Sequence, residues 1–441
     1  MDRRDLAGEL ELMAEQIQPW LLERRREIHR FPEVGWTEFH TSALVAQYLH
    51  EMNWKVKVGR EIVSEEERLG VPSADKLEEH YAEVRSLLPV NPFIEHMRGG
   101  MTGVIGVLDT GRPGPTIAFR FDLDALPVTE TEQSGHFPVR HGFSSVRRGQ
   151  MHACGHDGHT AIGLGLAKLL SSRIAGLSGK IKLIFQPAEE GLRGAYPMVK
   201  AGAVDDVDYF FALHLGLRTG QGELITGAVN FLASTKFKIS FTGKAAHAGI
   251  EPEQGRNAML AAASAVLGIH GISAHSQGKT RVNCGTLQAG TAANIIPASA
   301  ELTVETRSDR ANVNEYLENR VKEICKGAAA MYGVDADWRI VGKGIPCDSH
   351  PELAKLVESA AAAIRSFDKI SFGVPFEASD DATYFMDAVH ARGGLSTYIV
   401  LGTRLAGGHH QPDFDFFEED LVKGVKLLSR LALNLCGGIR N

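Results

Sequence analysis

The sequence predicts an α/β protein in which a mostly parallel sheet is interrupted by a smaller inserted domain. Three observations support this prediction. The chain has 441 residues, and single hydrophobic cores stop growing at roughly 250–300 residues, so two domains are expected. Strand-like and helical patterns alternate over residues 102–215 and again beyond residue 344, as they do around parallel sheets. Between about 229 and 341 the order becomes β-α-β-β-α-β, which is a complete ferredoxin-like unit.

The N-terminal part of the chain predicts helices. Apolar residues recur at helical spacing between residues 2 and 30, which predicts an amphipathic helix that Pro32 ends. A second helix is predicted from about Thr37 to Met52. Residues 61–98 are highly charged and contain several prolines without a strand signal. We interpret them as a helical insertion on the surface, with disorder as the alternative.

The remaining elements follow the same alternation. Predicted strands of the main sheet cover residues 102–109, 116–121, 180–186, 208–214 and 396–401, and predicted helices cover 159–172, 351–367 and 382–388. In the inserted unit, strands are predicted at 231–242, 281–288, 300–307 and 335–341, and helices at 257–272 and 313–331. Residues 1–228 and 342–441 are therefore expected to form one domain, and residues 229–341 the other.

Composition excludes several classes of function. The chain has 47 basic and 54 acidic residues, a net charge of -7, and no basic block. It therefore offers no electrostatic surface for nucleic acid or for an anionic membrane. The start of the chain lacks the apolar core of a signal peptide, and the longest apolar stretch is too short to span a bilayer, so a cytoplasmic protein is expected. Five scattered cysteines argue for reduced thiols.

Residues 151–160 read Met-His-Ala-Cys-Gly-His-Asp-Gly-His-Thr and predict part of a metal site. Cys154 and His156 are two residues apart, so in an extended or loop segment their side chains can project to one side. Thiolate and imidazole together suit Zn²⁺ or a similar divalent ion.

Further residues of ligand type follow other predicted strands. Glu189 and Glu190 come directly after the strand at 180–186, and His214 ends the strand at 208–214. Because open α/β sheets carry their sites at the carboxyl ends of strands, these side chains are expected to meet. The last strand runs into a glycine-rich loop, which ends in His409 and His410.

Six segments carry a resemblance to a known family, and they are Arg120–Pro127, Met151–Thr160, Gln186–Gly191, Gly243–Gly249, Asn294–Pro297 and His410–Phe414. Together they resemble the M20 metallopeptidase and amidohydrolase family, in the branch of hippurate, N-acyl-amino-acid and indole-acetyl-amino-acid hydrolases. The likeness covers nearly the whole chain. It implies a metallohydrolase domain and, at 229–341, a lid or dimerisation domain.

The resemblance also implies roles for individual residues. It gives two divalent metal ions, manganese or zinc, with the ligands Cys154, His156, Glu190, His214 and His410. His409 remains an alternative to His410, since a small shift of the loop would exchange them. The sequence departs from other M20 branches in having Arg120-Phe121-Asp122 where a His-x-Asp pair is usual, and Cys154 where a bridging carboxylate is expected.

The resemblance makes Glu189 the catalytic carboxylate. Adjacent residues in an extended segment point opposite ways, so Glu190 is expected to face a metal while Glu189 faces the attacking water. His247 is expected to stabilise the oxyanion, commonly in the partner's site, and Asn294 and Arg307 to hold a substrate carboxylate. The structural alternatives are a loop-capping role for His247 and a structural ion pair for Arg307, whereas His152, Asp157 and His159 are expected to orient the metal ligands.

The function that the resemblance implies is hydrolysis of the amide bond in an N-acyl or aroyl amino acid, with p-aminobenzoyl-glutamate as the leading substrate. The first alternative is another N-acyl amino acid, such as a hippurate-like compound. The second is a binding module or silent subunit of the same fold. The expected assembly is a homodimer or a heteromer with a related subunit.

Overall fold

The structure is a computed structural model that describes residues 3–437, and the chain forms two compact units. The first unit takes in Met1–Val229, Cys347–Phe376 and Asp381–Asn441, and the second takes in Asn230–Pro346 and Glu377–Asp380.

The α-helices are α1 (Arg3–Gln16), α2 (Gln18–Arg30), α3 (Phe39–Glu51), α4 (Ala74–Leu87), α5 (Phe137–His141), α6 (His156–Ser172), α7 (Ala195–Lys200), α8 (Ala258–His270), α9 (Ala311–Tyr332), α10 (Pro351–Ile364), α11 (Ala382–His390) and α12 (Leu421–Cys436). The strands are β1 (Lys55–Val58), β2 (Val104–Asp109), β3 (Thr116–Asp122), β4 (Lys180–Gln186), β5 (Tyr209–Leu215), β6 (Glu223–Val229), β7 (Ala233–Thr242), β8 (Arg281–Ala289), β9 (Ser299–Ser308), β10 (Asp335–Gly344), β11 (Lys369–Pro375) and β12 (Leu395–Leu401).

The first unit is built on one eight-stranded sheet with the order β1-β2-β4-β3-β5-β12-β6-β11. The sheet is mixed, and the expected parallel arrangement holds for four of its seven strand pairings. The central strands β4, β3, β5 and β12 run parallel to one another, and β6 runs parallel to β11. The pairs β1 with β2, β2 with β4, and β6 with β12 are antiparallel. Strands β1, β6 and β11 were not predicted. Strand β1 has only four residues, and β6 and β11 contain glycine or proline, which weaken a strand signal.

In the core of the first unit, α6 packs closely against the central strands of the sheet. Every residue of β3 is buried. A Cβ atom at Gly163 of α6 would come within 2.6 Å of the ring of Phe121 and 2.7 Å of the ring of Phe185. Glycine at this position therefore allows the helix to approach the sheet closely, and this contact places the N-terminus of α6 beside the strand ends.

The N-terminal region differs from its prediction in one respect. The predicted helix over residues 2–30 is two helices, α1 and α2, which meet at Ile17. Pro19 lies in the first turn of α2, where its missing N–H costs no hydrogen bond. The charged insertion over residues 61–98 contains α4 and two short 3-10 turns, Glu65–Glu67 and Ile94–Met97.

The second unit contains a four-stranded antiparallel sheet with the order β10-β7-β9-β8. Its elements follow one another as β7-α8-β8-β9-α9-β10. The buried faces of α8 and α9 pack on one side of the sheet around Phe237, Leu302 and Val321. Among the described residues, no helix is both long enough and apolar enough to cross a membrane.

Candidate metal centre

Three parallel strands bring the candidate site together in the first unit. Strand β3 pairs with β4 so that Asp122 lies opposite Gln186, and it pairs with β5 so that Arg120 lies opposite Ala212. The chain segments that leave these strands therefore emerge at the same edge of the sheet. The N-terminus of α6 reaches this edge as well, through Gly155, whose φ of 91° turns the chain between Cys154 and His156.

The potential ligand atoms of Cys154, His156 and His214 lie within 4.8 Å of one another. The Cys154 Sγ atom is 3.6 Å from His214 Nε2. A second group of three with the same spacing is formed by Cys154, Glu190 and His410. The two groups share the thiol, so one sulfur atom could contact two ions.

Both inner histidines are oriented by backbone carbonyl groups. His156 Nδ1 lies 2.8 Å from the carbonyl oxygen of Asp124, and His214 Nδ1 lies 2.9 Å from that of Leu215. An Nδ1–H that donates to a carbonyl leaves Nε2 as the free lone pair of the neutral ring. His156 Nε2 is buried, and among the described residues it has no hydrogen-bond partner, the nearest carboxylate oxygen, Asp122 Oδ2, being 3.7 Å away. This orphaned nitrogen, beside a thiol and a second imidazole, fits a divalent ion of the zinc type.

His159 cannot serve as a ligand in the same arrangement, because both of its nitrogens are occupied. Its Nδ1 lies 2.6 Å from Asp122 Oδ1, and its Nε2 accepts the N–H of Leu215 at 2.9 Å. Burial opposes ionisation of Asp122, but His156, His159 and the Arg120 guanidinium lower the pKa of that carboxyl well below its usual value. Asp122 and His159 therefore form a buried support behind the inner group.

Glu189 and Glu190 lie in a turn after β4, not in an extended segment. The prediction that they point opposite ways was wrong, because carboxylate oxygens of both residues lie within 4.8 Å of a ring nitrogen of His156. Ala188 has a left-handed φ of 50°, which turns the chain so that both side chains reach the same place. The Glu189 side chain is the more deeply buried of the two.

The two adjacent histidines of the last loop have different environments. His409 Nε2 lies 3.2 Å from the carbonyl oxygen of Leu215, and burial lowers the pKa of His409 to about 4. His410 Nε2 lies 3.3 Å from Glu190 Oε1, and its backbone N–H donates to Ala153 at 2.8 Å. The ring of His410 therefore lies with Glu190 and Cys154, whereas the ring of His409 faces a backbone carbonyl group.

The ionisable groups of the site shift one another's pKa. Burial opposes protonation of His156, but Asp122 and the hydrogen bonds of the ring raise the pKa of His156 well above its usual value. Burial and the neighbouring Glu190 carboxylate raise the pKa of the Cys154 thiol well above its usual value. Burial, together with His159 and His409, lowers the pKa of His214 well below its usual value. A bound cation would lower the pKa of Cys154 again, because it stabilises the thiolate. It would also bind the neutral imidazole of His214, which the lowered pKa favours.

The side chain of Asp124 was not assigned a role from sequence, although it was visible as an acidic residue at a strand end. It accepts the N–H of Glu189 at 3.0 Å and that of Glu190 at 2.9 Å. His152, expected to orient a ligand, makes no hydrogen bond with either ring nitrogen. Asp157 instead joins Arg25 and His29 in a buried network.

The remaining predicted site residues lie in the second unit. His247 and Asn294 are exposed and lie on neighbouring segments, since the N–H of Ala248 donates to the carbonyl of Asn294 at 3.0 Å. His247 Nδ1 accepts the N–H of Gly249 at 3.1 Å, which leaves the proton on Nε2. Asn294 belongs to the loop that joins β8 to β9.

Arg307 lies at the other end of that hairpin, opposite Arg281. At about 3.3 Å per residue, the strand from Ala300 to Arg307 spans roughly 23 Å. Asn294 and Arg307 of one chain therefore cannot hold the same small carboxylate. Arg307 forms an ion pair with Glu305 of the same strand, with 2.9 Å between Nε and Oε2.

Comparison with known proteins agrees with this geometry. Residues 118–434 match the sequence profile of Peptidase family M20/M25/M40. The chain belongs to this family. Members of the M20 family hydrolyse amide bonds, and the chain is accordingly a hydrolase of this type.

Two curated M20 relatives cover almost the whole chain. The A subunit of p-aminobenzoyl-glutamate hydrolase from Escherichia coli (strain K12) is 47% identical over 95% of this chain and 96% of its own. The indole-3-acetyl-aspartic acid hydrolase of Enterobacter agglomerans is 45% identical over 95% of this chain and 96% of its own length. Among solved structures, an aminobenzoyl-glutamate utilization protein from Klebsiella pneumoniae is 40% identical, with a TM-score of 0.82 over 96% of this chain and 98% of that one.

Proposed function

We propose that this M20 hydrolase is a metal-dependent amidohydrolase that cleaves p-aminobenzoyl-glutamate to p-aminobenzoate and glutamate. The observation that carries the proposal is the buried group of Cys154, His156 and His214 beside two carboxylates, in a chain 47% identical to a protein named for this reaction. A silent subunit would have no need to keep a thiol, imidazoles and acidic groups so close together without counter-charge.

The proposed ligands are Cys154, His156, Glu190, His214 and His410, and they would hold two divalent ions, manganese or zinc. The shared thiol of the two ligand groups supports Cys154 as the bridging ligand. When bound, the ions would polarise the scissile carbonyl group and lower the pKa of the attacking water.

Glu189 is the proposed general base and acid. Its carboxylate lies beside the ligand group and is largely buried, so it is protected from competition by bulk water. It would accept a proton from the attacking water and pass it to the leaving amide nitrogen of the amino acid. The backbone of Glu189 is fixed by Asp124, and general acid-base catalysis depends on such positioning.

The amino-acid side of the substrate is proposed to be dicarboxylic. The two curated relatives are named for glutamate and aspartate conjugates, whereas their acyl groups differ. An indole-3-acetyl-aspartate hydrolase is the second candidate function, and the relative at 45% identity favours it. Both candidates share the same bond cleavage and the same acidic leaving group.

The second unit, or residues 229–341 as delimited from sequence, is the proposed lid and dimerisation domain. Strand β8 is an edge of its sheet, and Leu287 on that strand is 44% exposed. On α8, Leu260 and Leu267 are 47% and 77% exposed. An open edge beside exposed leucines supports pairing with a second protein chain.

Pairing would bring residues of one chain to the site of the other. His247, with its proton on Nε2, is proposed to donate to the oxyanion in the partner's site, and Asn294 lies on the neighbouring segment. The separation of Asn294 from Arg307 along the hairpin supports substrate contacts that come from two chains. The partner would be a second copy or a related chain, because the relative from Escherichia coli is named as one of the subunits of its hydrolase.

A substrate panel with metal analysis tests this proposal. Purified wild-type protein is assayed on p-aminobenzoyl-glutamate, indole-3-acetyl-aspartate and hippurate, before and after chelation. We expect metal-dependent turnover that is fastest with p-aminobenzoyl-glutamate. The variant Glu189→Gln should retain metal and lose activity by at least about 10²-fold, since general acid-base catalysis contributes roughly 10²–10⁴-fold. Near-normal turnover by this variant with metal bound would refute the assigned role.

A further inference from the structure

We infer that Glu38 and Asp124 are a pair of positioning residues that fix the turn carrying Glu189 and Glu190. The inference rests on the proposed function, because it concerns the same site. Three successive backbone N–H groups of this turn each donate to one of these carboxyl groups. Ala188 donates to Glu38 Oε1 at 2.7 Å, and Glu189 and Glu190 donate to the two oxygens of Asp124 at 3.0 and 2.9 Å.

The turn requires this support because its backbone conformation is unfavourable. Ala188 has a left-handed φ of 50°, a conformation that is unfavourable for a residue with a Cβ atom. The conformation directs both carboxylates toward His156. Without these two carboxyl groups, the buried N–H groups of Ala188 and Glu189 and the partly buried N–H of Glu190 would lose their partners, and the turn would relax to a more ordinary geometry.

Asp124 links the turn to the metal ligands by a second route. Its side chain holds Glu189 and Glu190, and its own carbonyl oxygen lies 2.8 Å from Nδ1 of His156. Asp124 therefore fixes the backbone of Glu189, the proposed general base, and of Glu190, a proposed ligand. It also orients the ring of a second proposed ligand, His156. Asp124 is 1% exposed, so water does not compete for these contacts.

Glu38 is not explained by the structure of its own helix. It precedes α3, but its side chain forms no capping hydrogen bond there. That role belongs to Glu33, whose carboxylate accepts the N–H groups of His40 and Thr41 at 2.9 Å each. Glu38 is fully buried and extends instead to Ala188, and Thr102 Oγ1 donates to its other oxygen at 2.7 Å.

Two buried carboxyl groups side by side repel each other when both are ionised. Burial and the charge of Asp124 raise the pKa of Glu38 to about 8. The protonated form of Glu38 keeps a carbonyl oxygen that accepts the N–H of Ala188, and its hydroxyl group and Thr102 Oγ1 share the hydrogen bond on the other side. The side-chain amide of glutamine has the same shape and the same acceptor, so Glu38→Gln is a conservative replacement.

The experiment compares Glu38→Ala, Glu38→Gln and the matched control Glu33→Ala in the full-length protein. Metal affinity is measured by competition with a chromogenic chelator for Mn²⁺ and Zn²⁺, alongside kcat, KM and the melting temperature. We expect Glu38→Ala to weaken metal binding by about 10–100-fold, as for other residues that orient ligands, and to lower kcat more than it changes KM. Glu38→Gln should retain most of the metal affinity and most of kcat. Glu33→Ala should lower the melting temperature without a selective loss of metal affinity.

Asp124→Asn is the second variant, used if Glu38→Ala does not fold. Its amide can accept only one of the two turn N–H groups, so metal affinity should fall here also. The inference is overturned if Glu38→Ala or Asp124→Asn folds and binds metal like the wild type, or if Glu33→Ala causes an equal loss. If wild-type protein binds no metal and cleaves no substrate, the proposed function fails and this inference fails with it. If wild-type and Glu189→Gln behave as proposed, a normal Glu38→Ala refutes the positioning role alone.

Discussion

The Sγ atom of Cys154 lies 3.6 Å from Nε2 of His214, although the two residues are 60 positions apart in the chain. Cys154 comes from the loop before α6, and His214 comes from β5. Because Cys154 also belongs to the group with Glu190 and His410, loss of its sulfur should affect both proposed metal positions.

We predict that Cys154→Ser lowers metal affinity, since a serine hydroxyl is neither ionised nor soft at neutral pH. The measurement is metal stoichiometry and affinity after dialysis against a metal buffer. Cys284→Ser, at a half-buried thiol of the second unit, is the control and should bind metal normally. Unchanged stoichiometry and affinity in Cys154→Ser would exclude the thiol as a ligand.

Action of His247 in the partner's site is tested by mixing inactive variants. If His247 serves the partner's site, a Glu189→Gln chain paired with a His247→Ala chain regains one intact site. Random pairing of equal amounts should then recover about a quarter of the wild-type activity. Glu189→Gln mixed with Cys154→Ser is the control, since both changes lie in the same unit and no intact site can form. Mixed dimers that form without any recovered activity would contradict this role of His247.

Recognition of the substrate carboxylate should involve Arg307. A hydrogen bond to a charged group contributes about 1.5–3 kcal/mol, so conversion of the substrate α-carboxylate to an amide should lower kcat/KM at least about tenfold. In Arg307→Ala the ratio of kcat/KM between the acid and the amide substrate should shrink. Arg281 lies opposite Arg307 on β8, and Arg281→Ala should keep the wild-type ratio. If the amide is cleaved as fast as the acid, no carboxylate pocket exists. If Arg307→Ala retains the full difference, its ion pair with Glu305 is its only role.

Stability at acid pH should depend on Glu130. It accepts hydrogen bonds from His29 and His136, each at 3.0 Å. Although burial opposes ionisation, the hydrogen bonds from His136 and His29 lower the pKa of Glu130 to about 2, from a usual value of 4.5. A carboxyl group with a lowered folded pKa stabilises the fold above its unfolded pKa, and this stabilisation is lost as the pH falls from about 4.5 toward 2.

Denaturant unfolding at a series of pH values measures this effect. Between pH 5 and 2 the wild-type free energy of unfolding should fall by about 3 kcal/mol more than that of Glu130→Gln, at 1.36 kcal/mol per pKa unit. Glu132→Gln, at an exposed neighbour, should follow the wild type. Parallel curves for wild type and Glu130→Gln would contradict the prediction.

The sequence predicted local structure well where periodicity or a motif was strong. The strands and helices between residues 229 and 341 are all present, and the ligand-type residues at the ends of β4 and β5 do meet those of residues 151–160. It failed at the sheet margins, where β1, β6 and β11 lack a clear pattern, and at Pro19, where a single predicted helix is two. The parallel pairing of β3, β4, β5 and β12 agrees with the prediction. The antiparallel pairing of β2 with β4 was not predicted, because periodicity does not distinguish parallel from antiparallel strands.

By itself the sequence determined the family, the residue types of the site and their order along the chain, since these follow from motifs and from the chemistry of thiol, imidazole and carboxylate. Tertiary structure alone decided which of these groups are free to bind. Packing occupies both nitrogens of His159, turns His409 toward Leu215, and gives the turn at Glu189 its acceptors from Glu38 and Asp124. Such hydrogen bonds join segments far apart in sequence, and they form only when a buried donor must find its acceptor in the folded chain.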